Sequence, residues 1–126
     1  MINRLEDLRV WQEARVLNSE VSHKIIRKAF DDYPVKDQIN RSAGSIMDNI
    51  AEGFGKNVSP EFIQYLSISK GSCVELKSQL YRSLDRKFIN ETDFNALYDK
   101  VDYIEKLNSN LIKYLRNSSI KGSKFK

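Results

Sequence analysis

The side chains of this chain whose types and spacing suit chemistry gather between Gln38 and Phe54. Arg41, Ser45, Asn49 and Glu52 follow one another at steps of four, four and three, so on a helix they stack into one polar stripe. A similar line, Ser69, Ser72, Glu75 and Gln79, lies further along. Two facing lines of this kind suit a hydrogen-bond network that fixes the register of two helices. They equally suit a polar subunit contact or a ligand site using Arg41, Asn49 and Glu52. They do not suit a metal centre: His23 is the only histidine, and the paired Glu-x-x-His segments of bundle metal sites are missing. Cys73 and His23 lack a third orienting group, and Cys73 falls on an apolar seam, where cysteine behaves as a small hydrophobe. No catalytic residue, metal ligand or cofactor site is therefore expected.

Phosphate recognition is the other chemistry in view. Lys24, Arg27 and Lys28 form one basic cluster, and Arg82, Arg86 and Lys87 form a second. Each falls near a helix C-terminus, where cations also complement the dipole. Repeated around an assembly they would make a belt of positive charge, and phosphate affinity grows with the number of contacts. Tyr81, Tyr98 and Tyr114 could stack on bases, or lie at the edge of the core.

The elements that must position these groups follow from hydrophobic periodicity. Val10, Ala14, Leu17, Val21 and Ile25 trace one face of a helix that ends before Pro34; Ile39, Ala43, Ile46, Ile50 and Phe54 trace a second, with Gly53 and Gly55 as its stop signal. Ser59-Pro60-Glu61 reads as a cap, a first-turn proline and a first-turn acid opening a third helix. Its seam is Phe62, Leu66, Ser69, Cys73, Leu76 and Leu80, fading near Arg86-Lys87. Asn90 caps a fourth helix with the seam Phe94, Leu97, Val101, Ile104, Asn108, Leu111 and Leu115. Asn108 sets register there, or faces solvent if Leu107 takes its place. Gly44 and Gly71 lie inside helices, where glycine costs about 1 kcal/mol against alanine, so both are expected at close packing. Trp11 and the width of the first apolar face suit core packing or a subunit contact. No period-two alternation appears. The reading is all-α: an up-down-up-down antiparallel four-helix bundle over residues 1–116, followed by a mobile basic tail, residues 117–126.

Composition bounds the function. The 126 residues are 40% hydrophobic and 30% charged, which excludes a disordered or collagen-like chain and suits one domain. No apolar run approaches the roughly 18 residues of a membrane span, and the N-terminus has no apolar signal core. A single cysteine fits a reducing cytoplasm. The net charge is +4, but residues 117–126 contribute +3 of it through Lys121, Lys124 and Lys126. Residues 1–116 carry 18 basic and 17 acidic side chains, so only local clustering can give the body a basic surface.

The run Asn49-Ile50-Ala51-Glu52-Gly53-Phe54-Gly55, with Gln38-Ile39, Arg41 and Ser45-Ile46 before it, resembles the four helix bundle protein family, whose founding members are encoded in intervening sequences of bacterial 23S ribosomal RNA genes. Asp7-Leu8, Val10-Trp11-Gln12, Glu61-Phe62, Tyr65-Leu66, Gly71-Ser72 and Glu75-Leu76 extend the resemblance over about residues 5–116. The chain is also similar to the accessory variability determinant of diversity-generating retroelements. One departure is Asn40, where the family often carries an arginine before Arg41. The resemblance implies a ring-like homopentamer without enzymatic activity. It also implies an accessory role on nucleic acid, RNA or DNA, or beside a protein partner such as a reverse transcriptase. The alternative is a protein-interaction scaffold that binds no nucleic acid.

Overall fold

The computed structural model describes residues 2–28 and 31–118. A 3-10 turn, Leu5–Asp7, leads into α1, Arg9–Val21, which runs on as a π-helical turn over Ser22–Ile26, with the Arg27 N–H donating to the Ser22 carbonyl at 3.0 Å. Helices α2, Tyr33–Lys56, α3, Ser59–Asp85, and α4, Glu91–Ser118, follow. The described residues contain no strand, so the chain is all-α with four helices.

Contacts between side chains give the helix directions. Ser42 meets Glu75, Ser45 meets Ser72 and Ile46 meets Ser69, so rising numbers on α2 face falling numbers on α3. The same reversal relates α3 to α4 through Lys77 with Asp102 and Ser69 with Asn108. It relates α1 to α4 through Arg9 with Tyr103 and Glu13 with Lys100. Asn18 on α1 donates to the Ala43 carbonyl, and Lys36 near the start of α2 reaches the Lys28 carbonyl just past the π-turn. Each helix is thus antiparallel to both neighbours.

The expected seams form the core. Val10, Ala14, Leu17, Val21 and Ile25 are buried, as are Ile39 through Phe54 on α2 at the expected positions and all six seam residues of α3. On α4 the last turns differ: Leu111 is half-buried and Ile112 takes the inward position, while Asn108 is fully buried and Leu107 is not. Burying such side chains contributes on the order of 1.5–3 kcal/mol each and sets the bundle against chain entropy.

The ends of the helices correct several expectations. Gly53 and Gly55 do not stop α2, which continues to Lys56; Asn57 takes the left-handed conformation, φ 60°, and ends it. Ser59 does not cap α3 but is its first residue, buried, and Val58 occupies the cap position without a side-chain bond. The cap on α2 is Asp32, whose carboxylate accepts from the Val35 N–H at 3.2 Å ahead of a first-turn proline. Asn90 does cap α4, accepting from the Asp93 N–H at 2.7 Å. The end of α3 closes with Lys87 at φ 62° and the Phe88 N–H on the Ser83 carbonyl. Two residues of the expected tail belong to α4, which extends to Ser118; residues 119–126, where the rest of it falls, lie outside the described residues.

The glycines are also reassigned. A Cβ at Gly44 or Gly71 would meet nothing within 4 Å, so neither serves close packing. Gly53 does: a Cβ there would lie 2.7 Å from Phe62 Cδ1 and 2.8 Å from Tyr65 Cβ. Gly53→Ala is therefore expected to destabilise the fold by about 1–3 kcal/mol through overpacking. Gly71→Ala should stabilise it by about 0.5–1 kcal/mol through helix propensity. Urea unfolding of both variants checks this, and the opposite order would contradict the assignment.

Candidate functional site

The polar stripe of α2 divides. A step of four residues advances about 40° around a helix, so side chains in such a line do not all face one neighbour. Ser45 turns into the contact with α3, and half-buried Asn49 folds back onto it within α2. The Ser45 and Ser72 hydroxyls share a hydrogen bond of 2.8 Å, and Asn49 Nδ2 donates to the Ser45 carbonyl at 2.8 Å and to its hydroxyl at 3.0 Å. Arg41 and Glu52 face solvent instead. Arg41 pairs with Asp37 at 2.9 Å and Glu52 with Lys56 at 3.4 Å, both within α2.

The facing line on α3 is drawn into the same seam. Ser42 donates to Glu75 at 3.1 Å, and Ser69 donates to the Ile46 carbonyl at 2.8 Å. Asn108 Nδ2 reaches the Ser69 hydroxyl and the Ile104 carbonyl, each at 3.3 Å, and so carries the network from α2 through α3 to α4. Two buried amide oxygens, Gln79 Oε1 and Asn108 Oδ1, have no hydrogen-bond partner among the described residues. Gln79 and Glu75 line a shallow cleft of about 250 Å3 that also takes in Arg41, Ser42 and Ser45. The stripe is thus partly a structural seam and partly an exposed surface.

A charged network absent from the sequence reading ties the other faces together. Lys77 Nζ donates to Asp102 at 2.9 Å and Glu105 at 2.6 Å, and Lys100 on α4 reaches Glu13 on α1 at 2.8 Å. Burial works against the Lys77 ammonium, but its hydrogen bonds to Asp102 and Glu105 outweigh this and hold its pKa above the usual lysine range. Hydrogen bonds from Lys77 and Lys106 hold the Asp102 carboxyl below its ordinary value, and Lys100 does the same for Glu13. The available signal was position: Lys77 adjoins the seam residue Leu76, just as Asp102 and Glu105 adjoin Val101 and Ile104. The acids of α4 are thus partly spent on holding α3.

Cys73 sits fully buried in the core, and burial first, with Glu105 nearby, pushes its thiol up to about 12. A thiol held protonated is a poor nucleophile. His23 is exposed on the π-turn beside Arg27.

The two basic clusters lie at one end of the bundle. Arg86 pairs with Asp32 at 3.5 Å, and the Lys36–Lys28 contact holds the end of the π-turn close to the start of α2. Several of the cations are engaged: Lys24 with Glu20 at 3.4 Å, Arg82 with Gln38 at 2.7 Å, and Arg27 with His23 at 3.3 Å. Lys28 and Lys87 are exposed. Of the tyrosines, Tyr81 is 52% exposed yet packed at 4.8 Å on Phe94, while Tyr98 is half-buried under Lys77. Tyr114 is exposed. No group of histidine, cysteine and acids able to hold a metal occurs among the described residues.

The sequence model of the 23S rRNA-intervening sequence protein family matches residues 6–110. A solved structure from Bacteroides thetaiotaomicron, described as a protein with unknown function from the S23 ribosomal protein family, is 24% identical. It covers 86% of this chain and 99% of its own, with a TM-score of 0.70, and shares the fold. Among curated proteins none matches significantly. Neither matching description names an enzymatic activity.

Two expectations follow for the seam and the charged network. Asn49→Ala should cost about 1 kcal/mol in urea unfolding, whereas Arg41→Ala should change stability by no more than about 0.5 kcal/mol; equal effects would contradict the division of the stripe. The depressed carboxyls of Asp102 and Glu13 give stability that is present above their unfolded pKa, about 4, and is lost as pH falls through their lower folded values. The melting temperature should therefore drop below about pH 4, and drop less steeply in Lys77→Met. Parallel acid profiles for the two proteins would show that Lys77 does not hold the acids of α4.

Proposed function

The chain belongs to the 23S rRNA-intervening sequence protein family, and on that footing we propose that it is a non-enzymatic, self-assembling helical bundle that associates with RNA through cations repeated around the assembly. The assembly in this reading is a ring of five copies. The observation that carries it is the gathering of Lys24, Arg27, Lys28, Arg82, Arg86 and Lys87 at one end, through the Arg86–Asp32 pair and the Lys36–Lys28 contact. A single bundle whose body carries +1 holds polyanions weakly; subunit repetition multiplies phosphate contacts, and affinity rises with each. The solvent-facing Arg41 and Glu52 are the members of the α2 stripe available to a neighbouring subunit. No helix among the described residues is long and apolar enough to cross a membrane. A buried free thiol suits the cytoplasm.

A second reading, a protein-interaction scaffold, is favoured by the outer face of α1. There a groove of about 390 Å3 runs beside half-buried Trp11 and Val16, which is 45% exposed. Large aromatics anchor protein interfaces, so this face suits a second copy or a protein such as a reverse transcriptase.

Light scattering and RNA titration separate the readings. Scattering at high micromolar concentration should report a multiple of the 14.7 kDa chain; a monomer there would remove the ring. RNA binding near 50 mM salt should weaken steeply as salt rises, and double charge reversal at Arg82 and Arg86 should weaken it further. Assembly with no RNA binding in low salt would leave the scaffold as the function.

A further inference from the structure

A groove of about 500 Å3 lies between α3 and α4, away from the two basic clusters. Lys70, Gly71 and Val74 form one wall, Ser109, Ile112 and Arg116 the other, and no acidic residue lines it. That sets it apart from the cleft at Gln79, which mixes Arg41 with Glu75. Lys70 has no acidic partner among the described residues. Its apolar lining is Val74, 53% exposed, with the buried Ile112 behind it.

Gly71 supplies an independent observation. It sits inside a 27-residue helix, where glycine is costly, yet a Cβ there would meet nothing within 4 Å. Packing does not require the glycine; its effect is to leave the groove open along α3. Cations on both walls, the exposed apolar side chain of Val74 and an acid-free lining match an anionic strand that also presents flat apolar surface.

We propose that the α3–α4 groove holds a single RNA strand, with Lys70 and Arg116 on its phosphates and a base or ribose against Val74 and Ile112. This rests on the RNA reading above and names a surface for it other than the two basic clusters. Arginine and lysine fix the backbone without reading sequence, so binding here is tolerant of sequence and strongly dependent on salt.

Fluorescence anisotropy with a labelled single-stranded RNA, at a series of salt concentrations, tests it on the full chain. The double variant Lys70→Glu, Arg116→Glu is expected to lose about tenfold or more in affinity at 50 mM salt. Neutral Lys70→Gln, Arg116→Gln should make the log–log salt slope shallower by about 1.4, the share of two single-strand phosphate contacts. Gly71→Gln, which alters no charge and has room for its Cβ, should weaken binding by filling the groove. Circular dichroism and melting confirm that each variant folds. Wild-type affinity and slope in the charge variants would overturn the proposal. If binding then still falls on reversing Arg82 and Arg86, the RNA reading stands on the other clusters. No binding by the unaltered chain at 50 mM salt would overturn both.

Discussion

The contact between α2 and α3 is the constraint on which the rest of this bundle depends. Apolar seams alone would let two helices slide by a turn with modest penalty, because one aliphatic side chain replaces another. Hydroxyls do not slide in this way. Ser69 finds the Ile46 carbonyl, Ser45 finds Ser72, and Ser42 finds Glu75, each in one register only. A register shift would leave the buried Ser42, Ser69 and Ser72 hydroxyls without these partners, at about 1–3 kcal/mol apiece. The same register brings Gly53 against Phe62 and Tyr65, where no Cβ fits, and lets Asn57 and Val58 alone close the turn. Asn108 and Lys77 then pass the register on to α4, and Lys100 with Glu13 links α4 to α1.

This use of polar residues decides where function can lie. Serines and an asparagine that resemble a binding stripe in one dimension are occupied in three, and what remains exposed of the stripe is its charged members. Cysteine and histidine are likewise spent, one in the core and one beside an arginine on the surface. Cys73, buried and held protonated, is not an activated nucleophile, and the exposed charged side chains are what the surface offers to the proposed reading. The chain belongs to the 23S rRNA-intervening sequence protein family, whose sequence model matches residues 6–110.

Much of the fold was legible because a helical seam repeats a simple physical rule. Residues spaced for one face, such as Ile39, Ala43, Ile46 and Ile50, are buried whatever their neighbours do. Helix ends were read less well. Gly53 carried the residue type of a stop signal but is needed for an inter-helix approach, and Asn57 stops the helix in its place. Gly44 and Gly71 carried the residue type of a packing glycine but face open space. Gly53 meets Phe62 and Tyr65 on another helix, contacts that spacing along its own helix does not reveal, and Gly44 and Gly71 meet nothing. The stripe failed for a related reason: periodicity places side chains on a face but does not say which neighbour bounds that face, so Arg41 and Ser45 parted company. A lysine beside a seam, such as Lys77, reads as solvated until two acids stand across from it.

A double-mutant cycle on Ser45 and Ser72 tests the central claim most directly. Each serine is changed to alanine, singly and together, and stability is measured by urea unfolding. If the α2–α3 seam fixes the bundle through these paired hydroxyls, the two losses will be non-additive, with a coupling of about 1 kcal/mol. Losses that add to within about 0.3–0.5 kcal/mol would contradict it, and would leave the helices held by their apolar faces alone.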